Sequence, residues 1–416
     1  MKELEVREEI STGEWTNLPF DEAVLINPKV TLKKGETYPF VEMANIDSTS
    51  RIVQTLEKKV YNGGGSKFED GDTLMARITP CLENGKISRY KSNLNDSDIG
   101  FGSTEFIVIR GRRGVTDNVF AYYLTTWSEF RNFSIGQMNG SSGRQRVPTS
   151  SLSEFIVRLP PLPVQKKIAA ILSSLDDKIE QNTRMNKVLE EIARALFQRW
   201  FVAFEFPDAE GMPYKSAGGK MVESEMGMVP EGWDIVSFRD IITVRTEKSN
   251  DPDIPEYSVT NLGIYPRDEK YKKKLSAVTS RNKIVHQFDL VFGMSREILN
   301  WGLMKDEIGG VSLAYNVFII DQTVNPLFLE SFMKNNLPYF KDVIKPASRE
   351  GQGIDKAALY SKNIYLPPQD VLDSYYKIEG RLLSMCKYHD EENARLTEIR
   401  DTLLPKLMSG ELNITS

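Results

Sequence analysis

Residues 159–182, LPPLPVQKKIAAILSSLDDKIEQN, decide the fold, because a similar stretch returns at residues 366–389 as LPPQDVLDSYYKIEGRLLSMCKYH. The two stretches are 207 residues apart, and the similarity continues downstream without a gap, so that Asn186 matches Asn393. This period is far longer than the roughly 20 to 50 residues of a solenoid repeat, and it therefore indicates two whole domains. We predict two similar halves, related by pseudo-twofold symmetry, that bind a target with two similar halves.

The first half ends in a long predicted helix. No Pro or Gly interrupts residues 164–206, and Pro160, Pro161 and Pro163 lie just upstream, where proline often precedes a helix. A helix of roughly 40 residues would be about 57 Å long. Residues spaced alternately four and three apart form the contact seam of a coiled coil. In this helix the two middle positions of the seam are polar, Asn182 and Asn186. The other seam positions are Ile168, Leu172, Leu175, Ile179, Leu189, Ala193, Leu196 and Trp200.

The same seam, moved by 207 residues, predicts a second helix near the C-terminus. Its polar middle is His389 and Asn393. Gly380 should weaken this helix by about 1 kcal/mol, and Pro405 should kink or end it near Leu404. The other seam positions are Tyr375, Leu382, Cys386, Leu396, Leu403 and Leu407, with Glu379 and Arg400 as polar exceptions.

An antiparallel pairing of the two helices would bring their polar middles together. We hypothesise that Asn182, Asn186, His389 and Asn393 then form hydrogen bonds across the seam. Polar residues at such positions lower stability but fix register and orientation. The alternative is that all four side chains point to solvent.

The fold class predicted is α/β: two similar mixed α/β domains, each followed by a long helix, with the helices paired as an antiparallel coiled coil. Alternating or apolar runs predict strands at residues 104–110, 154–160 and 315–320, and a helix at 118–127. The expected domains are listed in chain order: a globular domain at 1–160, a helical region at 161–206, a Gly-containing linker at 207–230, a second globular domain at 231–367 and a helical region at 368–416.

Composition narrows the class of protein. The chain has 416 residues, 40% hydrophobic and 10% aromatic, which is enough to build a core in each domain. It has no apolar run of the roughly 20 residues that a membrane helix needs, and its first ten residues are charged, unlike a signal peptide. Cys81 and Cys386 are isolated in sequence, which is typical of reduced thiols. We expect a cytoplasmic protein.

The net charge of −5 conceals local basic clusters. Residues 267–283, RDEKYKKKLSAVTSRNK, contain seven basic side chains and two acidic ones. Clusters of this kind in both halves favour nucleic-acid binding modestly, and solvated surface lysines are the alternative. The smaller clusters comprise Lys86, Arg89 and Lys91; Arg110, Arg112 and Arg113; and Arg144 with Arg146.

Motifs for catalysis are absent from the sequence. It has no GxxxxGK[ST] or GxGxxG phosphate loop, and no [DNS]PP[YFW] tetrapeptide of the kind expected in adenine methyltransferases. Only two histidines are present, neither with a partner at ligand spacing. Asp47, Glu57 and Lys59 match a metal-nuclease pattern that arises by chance in most chains of this size. We expect a non-catalytic chain, and a stand-alone nuclease or methyltransferase is the alternative.

Four stretches together resemble the specificity (S) subunit of type I restriction-modification systems. They are 159–182, quoted above; ALFQRWFVAFEF at 195–206; SEMGMVPEGWDI at 224–235; and LLPKLMSGELNI at 403–414. The resemblance covers the whole chain in architecture. It departs from the family pattern at Val164, where an acidic residue often precedes the Gln, and in the weak second double-proline region.

This resemblance implies a role in reading DNA. Each globular half would be a target recognition domain for one half of a split sequence in double-stranded DNA. The helices would serve as a spacer and as the dock for two modification (methyltransferase) subunits. S-adenosylmethionine, ATP and Mg would belong to those subunits and to any restriction subunits, and this chain would hold no cofactor.

Candidate DNA contacts lie in glycine-containing and basic segments. Arg and Lys contact phosphate or guanine, and Gln can pair with adenine. The loop GQMNGSSGRQR at 136–146 contributes Arg144, Gln145 and Arg146, and Gln352 falls on Gln145 under the 207-residue shift. Lys272, Lys273 and Lys274 are candidate phosphate contacts. The alternative is a flexible connection and surface charge without contact.

A helical pair about 57 Å long would hold two readers a fixed distance apart, on the order of one to two turns of B-DNA, since one turn is about 34 to 36 Å. The competing interpretation is a scaffold, in which the halves bind proteins and the coiled coil only spaces them. Sequence-dependent DNA binding by the assembled complex would exclude the scaffold.

Overall fold

The computed structural model describes residues 14–93, 97–141, 143–251, 253–267, 282–295, 297–344 and 353–412. The chain divides into two compact units, of which the first comprises Met1–Lys187 and Met385–Ser416 and the second comprises Val188–Ser384. Both divisions fall inside the long helices, so each unit contains helical residues from both halves of the sequence.

The first unit contains a five-stranded sheet in the order β2-β10-β7-β8-β4, a four-stranded sheet in the order β5-β3-β9-β6, and the antiparallel pair β1-β11. Helices α2 and α3 lie between the last two strands in sequence. The bounds are β1 Thr16–Pro19, α1 Phe20–Ala23, β2 Val24–Ile26, β3 Thr37–Val41, β4 Ile52–Val53, β5 Lys58–Val60, β6 Ser66–Glu69, β7 Thr73–Ala76, β8 Ile87–Tyr90, β9 Ile99–Gly102, β10 Phe106–Gly111, α2 Asn118–Thr126, α3 Ser128–Gly136, β11 Ile156–Leu159 and α4 Leu162–Phe197.

The second unit repeats part of this order of strands. Its four-stranded sheet runs β15-β22-β19-β20, matching β2-β10-β7-β8, and the pair β14-β23 matches β1-β11. Its elements are β12 Met221–Ser224, β13 Gly227–Pro230, β14 Asp234–Ser237, α5 Phe238–Ile241, β15 Ile242–Val244, β16 Tyr257–Thr260, β17 Gly263–Pro266, β18 Lys283–His286, β19 Leu290–Phe292, β20 Trp301–Leu303, β21 Ile308–Val311, β22 Asn316–Ile320, α6 Pro326–Asn335, α7 Lys356–Tyr360, β23 Asn363–Leu366 and α8 Gln369–Ser409.

This repetition confirms the predicted fold class, and the individual elements agree with the sequence patterns. The predicted strands correspond to β10, β11 and β22, and the helix predicted at 118–127 is α2. Asp117 caps α2, because its carboxylate accepts hydrogen bonds from the amides of Val119 and Phe120. Asn325 caps α6 in the same way, through the amides of Leu327 and Phe328.

Two helix predictions need correction. The helix predicted across 164–206 ends at Phe197 and continues as a π-helical turn, Gln198–Val202. Pro405 does not end α8, which continues to Ser409. Leu407 and Met408, beyond the proline, are 1% and 2% exposed. Their burial offsets the hydrogen bond that proline cannot donate.

The hydrophobic cores use the helix ends symmetrically. In the second unit, Phe197, Trp200 and Phe201 pack against Tyr375, with the Phe201 and Tyr375 ring centroids 4.8 Å apart. In the first unit, the residues 207 positions later join the core around Ile168 and Leu172; they are Leu404, Leu407 and Met408. Each core therefore includes the end of the helix that belongs to the other half of the sequence.

The stretch 207–230 is a folded part of the second unit and not an extended connection. It contains the hairpin β12–β13, in which Val229 is buried. Tyr214 stacks on Phe206 with ring centroids 4.7 Å apart. Its glycines indicate turns, as at Gly227, whose φ of 90° disfavours a side chain.

The polar middle of the seam is hydrogen-bonded within the first unit. The Asn182 Nδ2 donates to Asn393 Oδ1 at 2.9 Å, and the Asn182 side chain is almost fully buried. His389 Nδ1 lies 2.7 Å from Asn186 Oδ1, and Asn186 Nδ2 also donates to Asp390 at 2.8 Å. These contacts join α4 to α8 in the antiparallel sense, so the four polar residues face each other and not solvent.

Replacing Asn182 and Asn186 with Leu should leave the protein folded but allow the helices to slip, because apolar contacts carry little register information. Spin labels at exposed Ser174 and Thr402 would report the slip as a broadened distance distribution, shifted by up to one turn, about 5.4 Å. The matched control is Gln181→Leu, which adds an apolar residue on the exposed side. An unchanged label distance in the double variant would show that other contacts set the register.

Candidate nucleic-acid interface

The candidate loop of the first unit is closed by its own backbone. Asn139 and Arg146 exchange hydrogen bonds of 3.1 and 2.9 Å. Gly140 and Gly143 have φ values of 122° and 79°, which the tight reversal requires and which other residues rarely adopt. The sequence therefore folds this segment as a defined hairpin-like loop.

This loop is attached to the chain that leaves β7. The amide of Thr79 donates to the Gln145 carbonyl at 3.0 Å, and the amide of Val147 donates to the Arg77 carbonyl at 2.9 Å. These backbone hydrogen bonds anchor the loop to the chain that leaves the sheet, and the sheet gives the loop a rigid support.

Arg146, a candidate DNA contact, binds Glu105 instead of facing solvent freely. Its Nε lies 3.0 Å from both carboxylate oxygens, and its Nη2 lies 2.7 Å from Oε1. The remaining Nη1 donates to the Arg144 carbonyl at 3.1 Å. Glu105 also raises the pKa of Arg146 through this hydrogen bonding. In this arrangement Arg146 orients the loop.

Arg144 and Gln145 occupy the other side of the same loop. Arg144 is exposed, and within the described ranges no carboxylate lies at ion-pair distance from its guanidinium. Gln145 is half-buried, with its backbone carbonyl held by Thr79. Both side chains therefore remain candidate contacts, and Arg144 is the more exposed of the two.

Most smaller basic clusters predicted from the sequence have structural partners. Lys86, Lys91 and Arg112 are tied down within the first unit. Their partners are, in order, the Met43 carbonyl at 2.9 Å, Asp70 at 3.2 Å and the Asp21 carbonyl at 2.6 Å. Basic residue type alone therefore does not mark a DNA contact here.

In the second unit the corresponding candidates fall outside the described residues. This applies to Gln352 and to Lys272, Lys273 and Lys274. On either side of Gln352 in sequence, the described residues Ile344 and Ile354 form an antiparallel bridge.

A buried Asp–Arg pair that sequence reasoning missed supports the sheet in each unit. Asp72, fully buried before β7, accepts from Arg110 Nε and Nη2 at 2.6 and 2.7 Å. Asp289, before β19, accepts from Arg245 at 2.6 and 3.1 Å. Burial raises the pKa of Asp72, and Arg110 opposes that shift. The aspartates are 217 residues apart, outside the 207-residue register.

The paired helices expose apolar residues at equivalent positions. The first unit exposes Ile171 and Ile399, at 39% and 47%. The second unit exposes the residues 207 positions away, Ile378 at 40% and Ile192 at 47%. Each unit therefore exposes one isoleucine on each of the two helices, at positions related by the 207-residue shift.

No group of three or more His, Cys, Asp or Glu side chains suited to a metal ion occurs among the residues with described positions. Within that same part of the chain, none of the helices combines the length and apolar character that crossing a bilayer requires.

Comparison with known proteins defines the class first. Residues 22–191 match the family described as the type I restriction modification DNA specificity domain. This range covers most of the globular part of the first unit and includes the candidate loop. The first unit therefore carries a DNA specificity domain.

Individual relatives extend the match along the chain. The type I restriction enzyme MjaIX specificity subunit of Methanocaldococcus jannaschii is 27% identical over 320 residues, covering 71% of this chain and 69% of that protein. The HindI specificity subunit of Haemophilus influenzae is 25% identical over 417 residues, covering 83% and 87%. A crystal structure of the type I restriction-modification S subunit from M. genitalium shares the fold, with a TM-score of 0.51 at 13% identity over 97% and 98% of the chains.

These matches confirm the resemblance that the sequence indicated. Residues 22–191 carry the type I restriction modification DNA specificity domain, and the relatives that match along most of the chain are type I restriction enzyme specificity subunits.

Arg146→Ala and Glu105→Ala should each weaken binding of the assembled complex to its target DNA. The double variant should bind DNA no more weakly than either single variant, because each single change already removes the same contact, the one that orients the loop. Arg144→Ala should weaken binding independently of Glu105. A double-mutant cycle measured by DNA titration checks this; additive losses for Arg146 and Glu105 would indicate that Arg146 leaves Glu105 to bind DNA.

Proposed function

We propose that this chain is the non-catalytic subunit that gives a type I restriction-modification enzyme its DNA sequence specificity. The observation that carries the proposal is the repeated strand order: the second unit repeats the topology of a unit recognised as a DNA specificity domain. Two domains of one design suit a target with two half-sites. Each unit reads one half, through loops that the sheet supports.

The helices α4 and α8 act as spacer and dock. At 36 residues, α4 is about 54 Å long. Each unit exposes an equivalent isoleucine on both helices: Ile171 and Ile399 in the first unit, and Ile378 and Ile192 in the second. Two equivalent surfaces suit two copies of one partner, and we assign them to two methyltransferase subunits.

The chemistry belongs to the partners in this proposal. The methyltransferase subunits bring S-adenosylmethionine and the catalytic residues, and restriction subunits, where present, bring ATP and Mg. The sequence supports this division through its lack of phosphate-loop and methyltransferase motifs. A subunit that reads cellular DNA works where that DNA lies, and we place the chain in the cytoplasm.

Modification mapping tests the specificity role. DNA from cells that express this chain with its methyltransferase subunit is compared, by single-molecule sequencing, with DNA from cells that express the methyltransferase alone. We expect methylation at a motif of two short half-sites around a fixed gap, only when this chain is present. No new methylation from a demonstrated stable complex would favour the scaffold alternative.

The helix length should set the gap between the half-sites. Inserting four helical residues in both helices, after Lys187 and after Ser384, lengthens each by about 6 Å. The gap in the methylated motif should grow by one to two base pairs, at about 3.4 Å each, with the half-sites unchanged. Insertion in α4 alone is the control and should abolish modification, because the seams no longer match. Altered half-sites with an unchanged gap would contradict the spacer role.

A further inference from the structure

Three lysines from distant parts of the sequence converge in the second unit. We propose that Lys248, Lys283 and Lys356 form a binding site for DNA backbone phosphate, a role that rests on the proposed function of this unit. Lys248 follows β15, Lys283 begins β18 and Lys356 begins α7. Lys283 belongs to the basic stretch 267–283, and the fold adds Lys248 and Lys356 to it.

Backbone pairing brings the first two lysines together. Lys248 and Lys283 oppose each other in an antiparallel bridge, flanked by the hydrogen bonds Ser249 N to Asn282 O at 2.8 Å and Ile284 N to Glu247 O at 3.0 Å. Residues directly opposite in such a pair have Cβ atoms about 4.5–5.5 Å apart on the same face. The two ammonium groups therefore share one surface.

The third lysine completes the cluster over β22. Lys283 Nζ donates to the Tyr315 carbonyl, just before β22, at 2.6 Å. Lys356 Nζ lies 5.9 Å from the ring centroid of Phe318 on β22. Burial lowers the pKa of Lys283, and the positive charges of Lys356 and Lys248 lower it further. The three cations are thus close enough to repel one another.

The nearby carboxylates have other partners. Glu247 lies 3.3 Å from Arg245 and 3.5 Å from His286. Asp355 caps α7 through the amides of Ala357 and Ala358. Across the described ranges, no carboxylate lies at ion-pair distance from any of the three lysines. Like charges held together oppose folding, and an anion bound between them would relieve that repulsion.

Position identifies that anion as DNA phosphate. Lys283 is the last residue of the basic stretch 267–283, which also contains Lys272 to Lys274, and Lys356 lies four residues after Gln352. The cluster is therefore close in sequence to the candidate contacts of this unit. Lysine is a compact, rotatable charge that suits phosphate, whereas bidentate base recognition favours arginine. The cluster anchors the backbone, and base recognition belongs to the loops.

The test measures salt-dependent binding of target DNA by the chain purified with its methyltransferase subunits. Each lost phosphate contact should reduce the slope of log K against log salt by about 0.9, which corresponds to about fivefold weaker binding near 0.15 M salt. We expect this for Lys248→Gln and for Lys356→Gln. The methylated motif should stay the same, because phosphate contacts carry no sequence information. The matched control is Lys334→Gln, because Lys334 already pairs with Glu330 at 2.9 Å.

Stability separates this role from a structural one. Lys248→Gln should keep or raise the melting temperature of the complex, because it removes repulsion, while DNA binding weakens. A lower melting temperature with an unchanged slope would overturn the proposal. A second outcome would also overturn it: inorganic phosphate stabilises the wild-type complex but not Lys248→Gln, and the substitution leaves the salt dependence of DNA binding unchanged. The site would then hold a free anion and not DNA phosphate. A wild-type complex that binds target and scrambled DNA equally would instead overturn the proposed function itself.

Discussion

The structure depends on how the hydrophobic core of each unit is completed. Each core includes the end of a helix that begins in the other half of the sequence. Phe197, Trp200 and Phe201 fill the core of the second unit, and Leu407 and Met408 fill that of the first. Truncating one such side chain would cost about 2–5 kcal/mol. Neither globular half is therefore complete without the antiparallel helix pair, which links spacing to stability.

Burial of apolar side chains stabilises the fold, and polar contacts add geometric specificity to it. Apolar seam residues hold α4 and α8 together, and we propose that the hydrogen-bonded pairs Asn182–Asn393 and Asn186–His389 specify how the helices align. Within each sheet, a buried aspartate held by an arginine ties together the strands that lie beneath the loops. In the candidate loop, the carboxylate of Glu105 likewise holds the guanidinium of Arg146.

Sequence patterns predicted the architecture well because they report periodicity and repetition. They were less informative about the site, because residue type does not reveal partners. Arg146 belonged to the candidate DNA contacts, yet Glu105, 41 residues earlier, binds its guanidinium. Lys283 belonged to the basic stretch 267–283, but Lys248 and Lys356 were missed because they are far from it in sequence. Pro405 is a second example of what the sequence did not reveal. Proline disfavours a helix locally, but α8 continues past it because Leu407 is buried.

By itself, the sequence determined the two-part organisation, the long helices with their polar middle, and the resemblance to S subunits. All of these follow from spacing along the chain, which secondary structure translates directly into faces and repeats. Only the tertiary structure decided which charges are neutralised, which loops are supported, and which cations come together in the described part of the chain. Those properties depend on contacts between residues distant in sequence, where electrostatic energy falls with separation in space and not along the chain.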